Sequence, residues 1–188
     1  MGCGPSTAVV SEADKATLAN AQFTAIPPVW SGITAMEGDT MIANGATIED
    51  AAGKVILNVA NDKAVSWALS DPATGQVVVT VSKPDVGKKS VTWKINSATG
   101  LVGSFEQNMK TGALDYFDTS GALVMKAKYV SANMVKIFGP DGASLAAVVA
   151  GKGTCTFAKG ADPIMALALS HLFKSMGGVD AGPSIGGI

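Results

Sequence analysis

The stretch ADPIMALALSHLFKSMGG, residues 161–178, is the most apolar long segment of this chain. It is compatible with three structures: a membrane span, an amphipathic helix on a membrane surface, and a helix buried in a protein core. Asp162 suits the N-cap, Pro163 suits the first helical position, and Gly177 suits the residue just past the end. The segment therefore predicts a helix over residues 163–176, and the environment of that helix decides the fold.

Length and residue pattern distinguish the three structures. At 1.5 Å per residue the helix is about 21 Å long, whereas a bilayer core requires about 20 consecutive apolar residues. His171 and Lys174 also fall in its last turns. Residues 164–169 are apolar on every side, and a helix of that kind is normally buried. We therefore predict a buried C-terminal helix whose last turn faces solvent.

The region before this helix is typical of short strands separated by turns. Asp, Asn or Pro begins each turn and Gly accepts the positive φ, as in DPATG at 71–75. No helical periodicity separates the strands, so antiparallel connections are expected. The runs with strand-like composition and length are GKVILNVA, AVSWALS, GQVVVTVS, SVTWKI, GALVMKAKY, NMVKIFG and ASLAAVVA. We predict a mainly β fold, a closed antiparallel β-barrel of about twelve strands around the buried C-terminal helix.

The size and composition of the chain suit one globular domain. Its 188 residues are 47% hydrophobic and 15% charged, which allows a substantial core. We predict a flexible arm with a possible short helix over 1–28, the barrel over 29–176, and a flexible Gly-rich tail over 177–188. Cys3 and Cys155 do not make a disulfide framework, and residues 1–28 lack the pattern of a secretory signal, so a cytoplasmic location is expected.

The hairpins and the helix together resemble the Tubby C-terminal-like superfamily, and fit its LURP-one-related and phospholipid scramblase branch best. The phrases that carry the resemblance are DAAGKVILNV, SDPATGQVVVTVSK, DTSGALVMKAKY and KIFGPDGASLAAVV, followed by the helix DPIMALALSHLF. The resemblance covers roughly residues 30–176. It implies a barrel around a central helix that binds phospholipid or a partner protein at a membrane.

The first residues, MGCGPS, match the N-myristoylation pattern, with Gly2 as acceptor and Ser6 at the favoured position. Cys3 would be the adjacent palmitoylation site. One myristoyl chain binds membrane only marginally, whereas two acyl chains anchor stably. The alternative is a chance Gly-Cys pair in a chain terminus. We predict acylation of Gly2 and Cys3 and peripheral attachment to the cytoplasmic face of a membrane, with the plasma membrane as the expected one.

Lysines concentrate in the middle of the chain, where residues 81–136 hold eight Lys and four acids. Two interpretations are open. The lysines bind anionic lipid headgroups, each contributing about 1 kcal/mol, or they form a solvated face that protects strand edges. Lys126 and Lys128 occupy alternate positions in MKAKY, residues 125–129, and so should share one sheet face. The candidate lipid-binding residues are Lys83, Lys88, Lys89, Lys126 and Lys128.

Several function classes are disfavoured by residue content. All fourteen basic residues are Lys and the net charge is −1. Arg supplies the planar contacts to phosphate and guanine, so its absence argues against sequence-specific nucleic-acid binding. His171 is the only histidine, which leaves no credible Ser-His-Asp set or metal-ligand set. We therefore expect a protein that is not an enzyme and has no cofactor or metal.

Two other functions stay open as alternatives. The first is scramblase-like lipid transfer between leaflets. The second is a hydrolase or a ligand-binding barrel, which the buried helix disfavours because it fills the space that a ligand would occupy.

Overall fold

A computed structural model of the chain describes residues 9–21, 40–44, 46–60, 67–131, 134–151 and 154–175. For 40–44 and 170–175 only the backbone is described. Gly2, Cys3 and the tail over 177–188 lie outside the described residues. The two described helices are α1 (Glu12–Asn20) and α2 (Pro163–Ser175). They confirm the short N-terminal helix and the C-terminal helix that the sequence predicts.

The rest of the described chain is dominated by a 13-stranded sheet in which every pairing is antiparallel. The strands are β1 (Thr40–Asn44), β2 (Thr47–Glu49), β3 (Val55–Ala60), β4 (Trp67–Ser70), β5 (Val77–Val81), β6 (Asp85–Val86), β7 (Ser90–Ser97), β8 (Gly100–Asn108), β9 (Leu114–Asp118), β10 (Leu123–Ser131), β11 (Met134–Phe138), β12 (Leu145–Ala150) and β13 (Thr154–Phe157). Strands that follow one another in sequence pair from β1 to β5 and from β6 to β13. In addition β1 pairs with β13, and β5 pairs with β7. The mainly β, antiparallel prediction is confirmed.

All seven strand-like runs of the sequence form strands. The strands β8 and β9 lie outside these runs. β8 and β9 contain polar and small residues, and they form because each pairs on both sides. The segment KPDVGKK, residues 83–89, holds three of the candidate lysines and is not one continuous loop. It contains β6, in which Asp85 pairs with Thr92 and Val86 pairs with Val91. Its lysines are therefore divided between the segment before β6 and the turn after it.

The inner face of the sheet and α2 form one apolar core. Residues 164–169 of α2 are at most 5% exposed, which confirms that this helix is buried. Trp67 and Trp93 belong to this core and are 2% and 5% exposed. The predicted N-cap is also confirmed, because the Asp162 carboxylate accepts hydrogen bonds from the backbone N–H groups of Ile164 and Met165 at 2.9 and 3.2 Å. A carboxylate at that position also interacts favourably with the helix dipole.

The helix α1 covers the outer face of β12. Leu18, 1% exposed, lies in a buried cluster with Val10 and with Leu145 and Ala150, the two end residues of β12. The cluster explains why all six residues of β12 are buried. A hydrogen-bonded ion pair between Lys136 Nζ and Asp14 Oδ1, at 2.6 Å, adds a polar link from β11. Residues 9–21 are thus attached to the sheet on its outer surface.

Candidate functional site

The hairpin turns divide the charges of the sheet between its two ends. Turns alternate between the ends of an antiparallel meander, so two groups of turns result. We call one group the aspartate-rich end; it consists of the turns at 50–54, 71–76, 97–100, 118–122 and 139–144. We call the other the lysine-rich end; it consists of residues 86–89, 109–113 and 129–131. The two ends differ in charge and in exposed apolar side chains.

At the aspartate-rich end, carboxylates accept hydrogen bonds from their own turns. Asp141 accepts from Ser144 Oγ and from the backbone N–H groups of Ala143 and Ser144, and these bonds lower the pKa of Asp141 to about 2. The Ser120 hydroxyl and backbone N–H groups lower the pKa of Asp118 in the same way. Asp50 and Asp71 also accept backbone N–H groups of their turns. The hydrogen bonds to Asp118 and Asp141 favour their ionised carboxylates, and this end carries four aspartates in its turns.

At the lysine-rich end, three exposed lysines lie on neighbouring turns. Lys88 and Lys89 lie in the β6–β7 turn, and Lys110 lies in the β8–β9 turn. The Met109 backbone N–H donates to the Lys89 carbonyl at 3.0 Å, which brings the two turns together. No Asp or Glu is present in residues 86–89, 109–113 and 129–131, and the exposed Asp85 adjoins them in β6. None of the three lysines has a carboxylate partner within the described chain.

The end of β10 extends the same surface. Leu114, the first residue of β9, pairs with Ala127, so β10 continues past β9, alongside the β8–β9 turn. With neighbouring strands about 4.8 Å apart, the surface from β7 to β10 spans about 14 Å.

Exposed apolar side chains accompany these lysines. Among the described residues, seven large apolar side chains are exposed, and four lie at the lysine-rich end: Val86 (67%), Met109 (57%), Tyr129 (40%) and Val130 (50%). The other three are Val9, at the start of the described chain, and Val77 and Leu101, which adjoin the aspartate-rich end. The lysine-rich end therefore combines positive charge with exposed apolar side chains, a combination typical of an interaction surface.

The sequence prediction that Lys126 and Lys128 share a sheet face is confirmed, because the alternate residues Met125 and Ala127 are buried at 2% and 3% exposure. That face is nevertheless separate from the lysine-rich end. Lys128 Nζ lies 4.8 Å from the centroid of the Phe138 ring and 3.4 Å from the Gly142 carbonyl oxygen. Its ammonium group thus points toward the aspartate-rich end.

Lys126 lies beside carboxylates. It is paired in register with Asp115, which is paired in turn with Glu106. Burial raises the pKa of Asp115, the charge of Lys126 opposes this effect, and the charge of Glu106 adds to it. Lys83 is exposed in the segment before β6, next to Ser82, whose N–H donates to the Lys94 carbonyl in the middle of β7.

The structure therefore brings Lys88 and Lys89 together with Lys110 and Met109, which the sequence analysis missed. A signal for the missed pair exists in the turn NMKTG, where an apolar residue and a lysine occupy an otherwise polar connection.

The described residues contain no group of three or more His, Cys, Asp or Glu side chains that could hold a metal ion. Cys155 lies on β13 and is fully buried in the apolar core. Neither described helix is long and apolar enough to cross a bilayer. No protein-family model, no curated protein and no solved structure matches this chain.

Proposed function

We propose that this chain is a non-enzymatic β protein that is tethered to the cytoplasmic face of a membrane and binds anionic phospholipid there. The observation that carries the proposal is the group of exposed lysines, Lys88, Lys89 and Lys110, without an acidic residue in the described turns around them. Each lysine near an anionic bilayer contributes about 1 kcal/mol, and the attraction extends over about one Debye length. Three such residues on neighbouring turns give a useful but reversible affinity.

A lipid anchor would supply the remaining affinity. The motif MGCGPS supports myristoylation of Gly2 and palmitoylation of Cys3. Because one acyl chain binds marginally and a second signal makes attachment stable, the basic surface and the acyl chains would act together. The plasma membrane is the proposed location, since its inner leaflet is rich in anionic lipid.

We further propose that the sheet closes into a barrel and that the chain is a member of the Tubby C-terminal-like superfamily. Two observations support closure. The pairing of β5 with β7 connects two strands from opposite ends of the strand order. The residues of α2 also belong to the same apolar cluster as residues of β2 to β5 and of β7 to β13.

The test of lipid binding uses the full chain without acyl groups and vesicles of phosphatidylcholine, with and without phosphatidylserine. We expect sedimentation with the phosphatidylserine vesicles only, and a decrease as salt is raised. The double variant Lys88→Gln/Lys89→Gln should weaken binding by about tenfold or more. The matched control is Lys54→Gln/Lys94→Gln, which removes the same charge from two other exposed positions.

The proposal fails if the wild-type chain shows no preference for phosphatidylserine, or if the control pair loses as much affinity as the Lys88/Lys89 pair. The first result would favour a partner protein as ligand. The second would mean that net charge, and not this surface, governs binding.

A further inference from the structure

We propose that the lysine-rich end is the face of the protein that meets the bilayer, and that Met109 and Val130 enter its interfacial layer while the lysines contact the headgroups. This inference rests on the proposed function and deepens it. It assigns an orientation and an apolar contribution, neither of which follows from lysine content alone.

The first argument is the arrangement of side chains. Met109 is 57% exposed and lies between the lysines, since it follows Asn108 of β8, precedes Lys110 and donates its backbone N–H to the Lys89 carbonyl. Val130 is 50% exposed at the end of β10, two strands away. Met109 lies in the β8–β9 turn and Val130 near the end of β10, so the two exposed side chains belong to the same end of the sheet, as contact with a broad lipid surface requires. Apolar side chains with lysines around them are the composition that binds anionic interfaces.

The second argument is the charge of the opposite end. Asp50, Asp71, Asp118 and Asp141 all lie in turns there. The hydrogen bonds from Ser144 and neighbouring backbone groups hold the pKa of Asp141 at about 2, and those around Asp118 lower its pKa as well. The Asp118 and Asp141 carboxylates are therefore ionised near neutral pH, and an anionic bilayer repels them. The charge distribution favours one orientation, with the lysine-rich end toward the lipid.

The third argument is the direction of α1. A shallow groove separates its last turn from the β11–β12 turn, with Ala16 and Asn20 on one side and Ser144 on the other. The C-terminal end of α1 therefore lies at the aspartate-rich end. The buried cluster under α1 extends to Ala150, at the opposite end of β12, so the N-terminal end of α1 points toward the lysine-rich end.

This direction determines where a lipid anchor could attach. Gly2 lies only seven positions before Val9, the first described residue. A chain of that length spans at most about 25 Å. Acylation of Gly2 or Cys3 is therefore compatible with an orientation in which the lysine-rich end faces the bilayer.

The test again uses the full chain without acyl groups and phosphatidylserine-containing vesicles. Met109→Gln and Val130→Gln remove apolar character without changing charge. Each should weaken binding by about fivefold, and the loss should persist at high salt because it is not electrostatic. Leu101→Gln is the matched control, since Leu101 is 53% exposed but adjoins the aspartate-rich end. It should bind as wild type does. Thermal melting of each variant verifies that the fold is intact.

The outcomes separate this inference from the proposed function. If the Lys88/Lys89 pair weakens binding but Met109→Gln and Val130→Gln do not, the insertion is wrong and lipid binding stands. If Leu101→Gln weakens binding as much as Met109→Gln, the orientation is wrong. If no variant and no wild-type chain binds the vesicles, both proposals fail.

Discussion

The substitution Leu18→Ala should detach α1 without unfolding the sheet. Helices of nine residues are marginal in isolation, so α1 depends on its contact with β12. Leu18 is 1% exposed and fills the centre of that contact. Truncation of a buried leucine costs about 2–5 kcal/mol of stability. Because α1 lies on the surface of the sheet and can detach from it, we expect a cost in the lower part of this range, about 3 kcal/mol. Since 1.4 kcal/mol is a factor of ten, the open form of α1 should become about a hundredfold more populated.

Hydrogen exchange of the α1 amides measures this directly. The N–H groups from Lys15 onward are bonded within the helix, the first of them to the Ser11 carbonyl at 3.0 Å, so residues 15–20 should lose protection in Leu18→Ala while β7 and β8 keep theirs. Thr17→Ala is the matched control, because it shortens an exposed neighbour on the same helix. The reasoning is refuted if both variants exchange alike. It is also refuted if Leu18→Ala lowers the protection of β7 and β8 as much as that of α1, since α1 would then unfold only with the whole domain.

Two further predictions concern packing and pH. Gly103→Ala should destabilise the protein by about 3 kcal/mol in urea unfolding, because a Cβ there would lie 2.2 Å from the Phe117 carbonyl oxygen and 2.7 Å from Tyr116 Cε2; an unchanged midpoint would contradict the close approach of these strands. For Asp14, burial raises the pKa, but hydrogen bonds from Lys136 and Ser11 and the Lys136 charge outweigh it, so the folded pKa is lowered. The stabilisation from Asp14 is therefore complete above the unfolded pKa of about 4 and is lost as pH falls through the folded value. Asp14→Asn should thus be less stable than wild type by about 1 kcal/mol at pH 7. A difference in unfolding free energy between the two proteins that does not decrease on acidification would contradict this.

Several local features could be predicted from sequence because their causes lie within a few residues. The Asp162 cap and Pro163 define where α2 begins, and the apolar residues that follow require burial. The alternation of Lys126 and Lys128 follows from the two-residue period of a strand. By contrast, β8 was missed because Gly103, with its polar neighbours, lowers the intrinsic strand preference. Pairing with β7 and β9 overrides that preference.

The candidate site was only partly predictable, for a related reason. Lys126 and Lys128 are exposed-face residues in sequence, but their neighbours Asp115 and Phe138 come from other strands. Their electrostatic environment depends on strand register, which is a non-local property. Met109 likewise joins Lys89 only because a backbone hydrogen bond connects two turns about twenty residues apart.

The sequence by itself determined the antiparallel β class, the turns of the aspartate-rich end, the buried C-terminal helix and its cap. Each of these depends on backbone preferences and side-chain periods that act over a few residues. Only the tertiary structure decided which turns share an end, and so separated a lysine-rich end with exposed apolar side chains from an aspartate-rich end. It also decided that α1 covers β12 and points its N-terminus toward the lysine-rich end. These properties arise from the pairing of distant strands and from burial of the outer face of β12, and no short stretch of sequence contains either.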